Sequence, residues 1–224
     1  MTRTTNARIA GFTYLFYIAV AFPSMVLFNR ATRGEGIGAQ LAGLARHAAD
    51  VHLAVVLSLA GCFSALVLAV TLYAITREQD PDLALLALTC RVAEGVTGAV
   101  SISGTLGLLW LATTTGADAP DPAATQALGA FLLRESPLDG AIFFAVGSTL
   151  FSWLLLRGRM IPVALAWLGV VASFLVVVGL PLQLAGVVHG PITRLMWLPM
   201  AAFEIPLGLW LLIKGVRTPA TARS

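Results

Sequence analysis

The chain has 224 residues, of which 58% are hydrophobic and 11% charged, and its formal net charge is +3. A soluble domain carries about 25% charged residues, so this sequence cannot cover a globule with hydrated surface, and its medium is lipid. Its basic residues are dispersed, with no basic patch interleaved with aromatics, which excludes nucleic acid as a partner.

The class that remains is all-α: a polytopic membrane helical bundle, read as a single transmembrane domain over residues 1–224. Hydrophobic runs of about 20 residues cross a core of roughly 30 Å at 1.5 Å per residue. Six such spans are predicted, at 8–29, 50–76, 83–114, 138–157, 160–182 and 192–214. The first follows Arg3 and Arg8 and carries Tyr14, Tyr17 and Pro23. Its apolar stretch is too long for a signal peptide's core and no small-x-small cleavage site follows, so it is read as a retained span.

After the break "NRATRGEGIGAQ", residues 39–49 are expected to form a short helix at the membrane surface. The rim "RHAADVH" sets His47 and Asp50 three apart on one helical face, with His52 pointing elsewhere. A hydrated loop-to-helix junction is the main reading of this rim, and metal binding the lesser one. Cys62 and Cys90 fall in different spans and are read as small hydrophobes rather than a disulfide. No cysteine spacing suits a metal.

The third span, after "TREQDPD", is longer than a crossing needs and is expected to tilt or to begin in the interface. Along it Arg91, Glu94, Gly98, Ser101 and Thr105 recur at helical spacing and share one small, polar face. Leu106, Leu108, Leu109 and Trp110 supply much of the apolar remainder. Small residues let helices approach closely and hydroxyls bond across them, so a packing seam also explains this face.

In the next connection Asp121 can cap a helix whose first position is Pro122. Leu128, Phe131 and Leu132 then share a face, as on a helix lying in the interface. Asp139 sits at the outer start of span four, and "RGR" joins spans four and five. Pro181 interrupts span five, and His189 and Arg194 make a second polar rim. In "WLPMAAFEIPLGLW" of span six, Pro199 and Pro206 flank Glu204, and each is expected to free a carbonyl four residues earlier. Such breaks are tolerated at depth where neighbouring helices or a cavity satisfy the freed groups. Most of Trp110, Trp153, Trp167, Trp197 and Trp210 are expected in the interfacial belts.

Orientation follows from the basic residues. With the N-terminus inside, Arg3, Arg8, Arg77, Arg157, Arg159, Lys214, Arg217 and Arg223 are inner, while Arg30, Arg33, Arg46, Arg134 and Arg194 are outer. The excess on the inner side predicts N-in and C-in.

Three ionisable residues remain deep: Arg91, Glu94 and Glu204. Such residues cost about 2.5–3.5 kcal/mol at the bilayer centre on insertion scales and mark a functional site by default. Glu94 lies roughly 18 Å along a helix from Asp82, and Glu204 roughly 15 Å from Lys214 at the same inner boundary. Tyr17 lies about 13 Å beyond Arg8, so one polar layer is expected to hold all three. Arg91 can pair with Glu94 at i, i+3, which also suits a purely structural role. Glu204 has no basic neighbour within a turn; it must meet Arg91 in space, bond another side chain, or keep its proton.

No Walker loop, dinucleotide-binding glycine pattern, HExxH, paired-aspartate diphosphate motif or haem-spaced histidine pair occurs, so neither cofactor nor metal is expected. The stretches "ARIAGFTYLFYIAV", "RVAEG", "RGRMIPVALAWLGVV" and "EIPLGLWLLIKGV" together resemble a bacterial family of six-span membrane proteins of unknown function. That resemblance covers nearly the whole chain. It implies the fold and the importance of Arg8, Arg91, Glu94 and Glu204, but no reaction; the expected location of the chain is the bacterial plasma membrane. In size, topology and buried acids, though not in an alignable motif, the chain is also similar to small integral-membrane terpene cyclases.

Three functions follow from the same residues. The first is an enzyme in which a buried acid, Glu204, with Glu94 as partner or final base, donates a proton to an apolar isoprenoid-type substrate entering from the bilayer. Its binding residues would be Arg91, Tyr14, Tyr17, Phe203, Ser101, Asp50 and Trp110, with aromatic faces stabilising carbocations. The second is a small proton-coupled transporter, although no internal repeat is visible. The third is a structural or regulatory membrane protein with the charges as helix glue. Oligomeric state is not legible in the sequence.

Overall fold

The first helix begins where a threonine can cap it. In the computed structural model, which describes residues 1–133 and 140–217, Thr2 Oγ1 accepts the backbone N–H of Thr5 at 3.1 Å. Helix α1 follows as Arg3–Ala31, then α2 (Ile37–Arg46), α3 (Ala48–Thr76) and α4 (Pro81–Thr113). A short 3₁₀ turn, Gly116–Asp118, precedes α5 (Pro122–Leu133). The chain continues as α6 (Ala141–Arg157), α7 (Val163–Leu184), α8 (Pro191–Leu195) and α9 (Leu198–Ile213). No strand occurs among the described residues.

Two Asp-Pro pairs set helix starts by the same chemistry. Asp80 Oδ1 accepts the N–H of Leu83 at 3.1 Å, and Asp121 Oδ1 that of Ala124 at 2.8 Å. Each is followed by a proline at the first helical position, where the missing N–H costs nothing. The predicted cap at Asp121 is therefore present, whereas span three starts at Pro81, two residues before its predicted boundary.

Five stretches are long and apolar enough to cross a membrane: α1, α3, α4, α7 and the segment Pro191–Ile213. By length and composition this is a multi-pass membrane protein. The fourth predicted span is α6, a 17-residue helix reaching roughly 25 Å. The start predicted for it, with Asp139, lies outside the described residues, as do Arg134 and Arg223 of the orientation count. The sixth span is interrupted rather than continuous. A turn at Met196 and Trp197 separates α8 from α9, and Pro199 occupies the first turn of α9. There it has no i−4 partner to lose, so the carbonyl it was expected to free is not freed by it. Pro206, like Pro23 and Pro181, does lie inside its helix.

The described residues divide into two compact units, and α1, α3 and α4 contribute to both. The first comprises Met1–Tyr17, Phe63–Val96 and the described part of Pro137–Ser224. Its core includes Tyr14, Leu72, Phe151, Leu155, Phe203 and Leu211, fully or almost fully buried. Here α6 packs along α7, and α7 packs against α9. Gly169 on α7 admits the Phe203 ring, since a Cβ there would collide with that ring and with Ser152 Oγ. Gly11 on α1 lies against the α9 backbone at Gly208 and Leu212 in the same way. At one end Arg3 pairs with Glu78 (2.9 Å) and donates to the Ile75 carbonyl (2.6 Å), while Arg157 pairs with Asp80 (3.1 Å).

The second unit comprises Ile18–Cys62 and the described part of Thr97–Ser136. Leu41, Leu44, Leu108, Leu109 and Leu111 are buried in its core. Ser24 donates to the Ala54 carbonyl at 2.9 Å and shares a hydrogen bond with Ser58 at 2.8 Å. The short helix expected over 39–49 is α2, shifted to 37–46, and Gly129 of α5 packs on its Ile37 and Leu41. The face expected on α5 is split: Leu128 and Phe131 are 45% and 73% exposed, but Leu132 packs against the core. Cys62 and Cys90 form no disulfide.

Gly11→Ala is expected to lower stability by about 1–3 kcal/mol, because backbone rather than a flexible side chain blocks the added methyl. Gly38→Ala, inside α2 with open space around it, is expected to cost nothing. Unfolding midpoints in detergent compare the two.

Candidate functional site

Arg91 and Glu94 sit one helical turn apart on α4, so their side chains lie over the same patch of its surface. Arg91 Nη1 donates to Glu94 Oε2 at 2.7 Å, and Tyr17 of α1 donates its hydroxyl to Glu94 Oε1 at 3.1 Å. Both carboxylate oxygens are thus engaged by donors from two helices. Tyr17 and Glu94 share the layer that residue counting assigned them.

The arginine is held by packing as much as by charge. Its exposure is 0%, against 8% for Glu94 and 7% for Glu204. The Phe144 ring of α6 lies with its centroid 5.0 Å from Arg91 Cζ, a cation–π distance. Phe144 in turn meets Trp197 at 6.0 Å between centroids. Gly147 makes room for the stem: a Cβ there would stand 3.1 Å from Arg91 Cγ and 3.2 Å from Cδ.

Glu204 projects from α9 beside Phe203, and it interacts electrostatically with Arg91 and Glu94. Tyr14, almost fully buried on α1, is within the same electrostatic reach of all three. Glu204 forms no ion pair among the described residues, and its buried Oε1 has no hydrogen-bond partner there. Arg91 Nε and Nη2 and Ser148 Oγ are likewise buried without a partner among the described residues. The Glu94 carboxylate is satisfied, then, while Arg91 keeps two unmatched nitrogens and Ser148 and Glu204 each an unmatched oxygen.

Of the residues the sequence proposed, Arg91, Glu94, Glu204, Tyr14, Tyr17 and Phe203 all fall in the first unit. Phe203 is buried against Gly169 rather than presenting an open ring face. Ser101, Asp50 and Trp110 belong to the second unit. Ser101 is exposed and bonds its own helix at the Thr97 carbonyl (3.0 Å), and Trp110 is half exposed. Asp50 pairs with His47 at 3.2 Å, as their spacing suggested. No metal-holding group of His, Cys, Asp or Glu occurs among the described residues. The polar face of α4 is therefore buried at Arg91 and Glu94 but reaches the surface at Ser101, and Leu108 and Leu109 are buried near the helix end instead.

Arg8, which the family resemblance had marked as important, is exposed and lines a groove with Thr2, Thr4, Thr5, Ile9 and Phe12. His189 is exposed, and the Arg194 side chain lies outside what is described. Phe144, Gly147 and Ser148 were not among the residues the sequence proposed; with Phe151 and Ser152 they recur at helical spacing on one face of α6, a signal of burial but not of contact with Arg91.

The sequence model of one protein family, described as Domain of unknown function (DUF4386), matches residues 9–215. No curated protein and no solved structure matches the chain.

Arg91→Leu, which strands Glu94 without its cation, is expected to destabilise the protein by about 3–5 kcal/mol. The double variant Arg91→Leu/Glu94→Leu should regain most of that loss, and Tyr17→Phe should cost about 1 kcal/mol. A double-mutant cycle from unfolding curves reads this directly; additive single losses would mean the two residues do not act as a pair.

Proposed function

The chain belongs to the DUF4386 family, a domain of unknown function, and from that premise we propose that it is an integral membrane enzyme using Glu204 as a buried acid. The chemistry is proton-initiated, such as cyclisation, and the substrate is an apolar isoprenoid-type molecule taken from the bilayer. The observation that carries this reading is the contrast between the two glutamates. Glu94 has both oxygens engaged by Arg91 and Tyr17, which suits a carboxylate. Glu204 is as deeply buried, has an unpartnered Oε1, and sits among Met200, Phe203 and Leu207. A neutral carboxylic acid in such surroundings can deliver its proton to an alkene or epoxide, the division of labour between two carboxyls that acid catalysis uses.

A purely structural role accounts for the ion pair but not for the surplus polar groups beside it. The Tyr17–Glu94–Arg91 chain favours one other reading, a proton relay in a small transporter. The topology that goes with either is six spans with both termini inside, α6 being the fourth and shortest. Neither role calls for a cofactor.

Glu204→Gln is expected to reduce turnover of a lipid-extracted isoprenoid substrate by about 10²–10⁴-fold, the usual worth of a positioned acid, without loss of folding. Wild-type turnover by this variant would end the enzyme reading. Uptake of protons into reconstituted vesicles, lost in the same variant, would select the transporter. For topology, Thr2→Cys should label only from the inner side of sealed vesicles, and Thr115→Cys only from the outer.

A further inference from the structure

The polar groups in the middle of the first unit do not close their hydrogen bonds on one another. Arg91 spends Nη1 on Glu94, which leaves Nε and Nη2 without partners among the described residues. Those two nitrogens lie along one edge of the guanidinium plane and point two N–H groups the same way. Arg91 Cζ lies over the Phe144 ring at 5.0 Å from its centroid, and Gly147 leaves room for the stem against α6. Ser148, one turn after Phe144 on the same face of α6, is almost fully buried with its hydroxyl unmatched. On α9 of the same unit, Glu204 Oε1 is also buried without a partner among the described residues.

A two-donor arginine edge ordinarily suits an oxyanion. Charge accounting opposes one here. Glu94 already neutralises Arg91 at 2.7 Å, so a bound carboxylate or phosphate would add a second negative charge with no second cation paired to it. In a low-dielectric interior such an unmatched charge is strongly disfavoured. A neutral oxygen acceptor meets the same donors without that cost, because a carbonyl oxygen has two lone pairs for the two N–H groups.

We propose that Arg91 Nε and Nη2, Ser148 Oγ and Glu204 form a buried docking site for the neutral carbonyl or ether oxygen of an otherwise apolar molecule. This rests on the acid-catalysis reading in one respect: protonated Glu204 adds a further donor to the site. It sharpens the substrate class from an apolar isoprenoid to an oxygen-bearing, uncharged one.

Equilibrium binding of three tritium-labelled probes of one carbon skeleton to the detergent-solubilised full chain at pH 6, where the free farnesoate carboxyl is ionised, tests it. They are farnesene, methyl farnesoate and ionised farnesoate. Methyl farnesoate is expected to bind at least about tenfold more tightly than either of the others. Ser148→Ala and Arg91→Lys are each expected to weaken methyl farnesoate about tenfold and leave farnesene unchanged; Ser148→Ala keeps the test valid where Arg91→Lys does not fold. Equal binding of farnesene and the ester, tighter binding of farnesoate, or binding of none of the three overturns the proposal. Glu204→Gln, whose amide remains a donor, separates the two ideas. If it retains ester binding and loses turnover, both stand. If it retains both, only the acid reading fails. If turnover is lost while ester and hydrocarbon bind alike in the wild type, only the docking site fails.

Discussion

The ion pair between Arg91 and Glu94 is the constraint on which the first unit depends. A guanidinium keeps its proton under any condition the protein meets, so a chain that places Arg91 inside an apolar bundle must neutralise it there. Burying two opposite charges removes hydration from both, and their attraction offsets that loss only when the geometry is good and the remaining bonds are supplied. Here Glu94 approaches to 2.7 Å and takes a second donor from Tyr17. The guanidinium carbon lies over the Phe144 ring at 5.0 Å from its centroid. Three helices must keep their places for this to hold: α1 for the tyrosine, α4 for the pair and α6 for the ring and for Gly147.

The glycines follow from the same demand. Side chains as large as Arg91 and Phe203 fit the middle of the bundle only where a neighbouring helix gives up its own. Gly147 does so for the arginine and Gly169 for the phenylalanine. Gly11 lets α1 come to the backbone of α9 near Gly208, one turn before Tyr14 on the face that also holds Tyr14. In a lipid medium, where helices gain little from hiding apolar surface from one another, close approach and polar contacts are what hold a bundle together. The same small-residue contacts therefore stabilise the helices and aim the tyrosines inward.

Much of this could be read from the sequence because it rests on local periodicity and on depth. The i, i+3 spacing of Arg91 and Glu94 fixed their contact, and counting residues from the helix ends placed Tyr17 level with Glu94. The Asp121-Pro122 cap is a signal of adjacent residues, and it appears as expected. What failed was decided between helices. No feature of α6 alone announces that Phe144 and Gly147 will receive an arginine, because small and aromatic residues at helical spacing are the ordinary material of any membrane helix. The interruption ahead of α9 is likewise hidden by the continuous hydrophobicity of the segment: the helix restarts at Leu198, and Pro199 falls in its first turn, where it is tolerated. Ser101 shares the helical face of Glu94 by its spacing. Two turns on, however, its side chain is at the surface and bonded to its own backbone.

The two glutamates are equally buried but differ in their partners. Both are nearly inaccessible, yet Glu94 is embedded in donors and Glu204 is not. With Glu94 ionised and Arg91 charged, the pair sums to zero, and the cluster is neutral only while Glu204 keeps its proton. A proton lost from Glu204 to water would leave an unmatched negative charge in the apolar interior, which is costly. A proton passed from Glu204 to a bound apolar molecule instead creates a cation next to the new carboxylate, so the cluster and its ligand together remain neutral. On the acid-catalysis reading, this makes the reaction less demanding than simple proton release. It also gives the neutral Arg91–Glu94 pair a role beyond holding helices together, because any residual charge there would shift that balance.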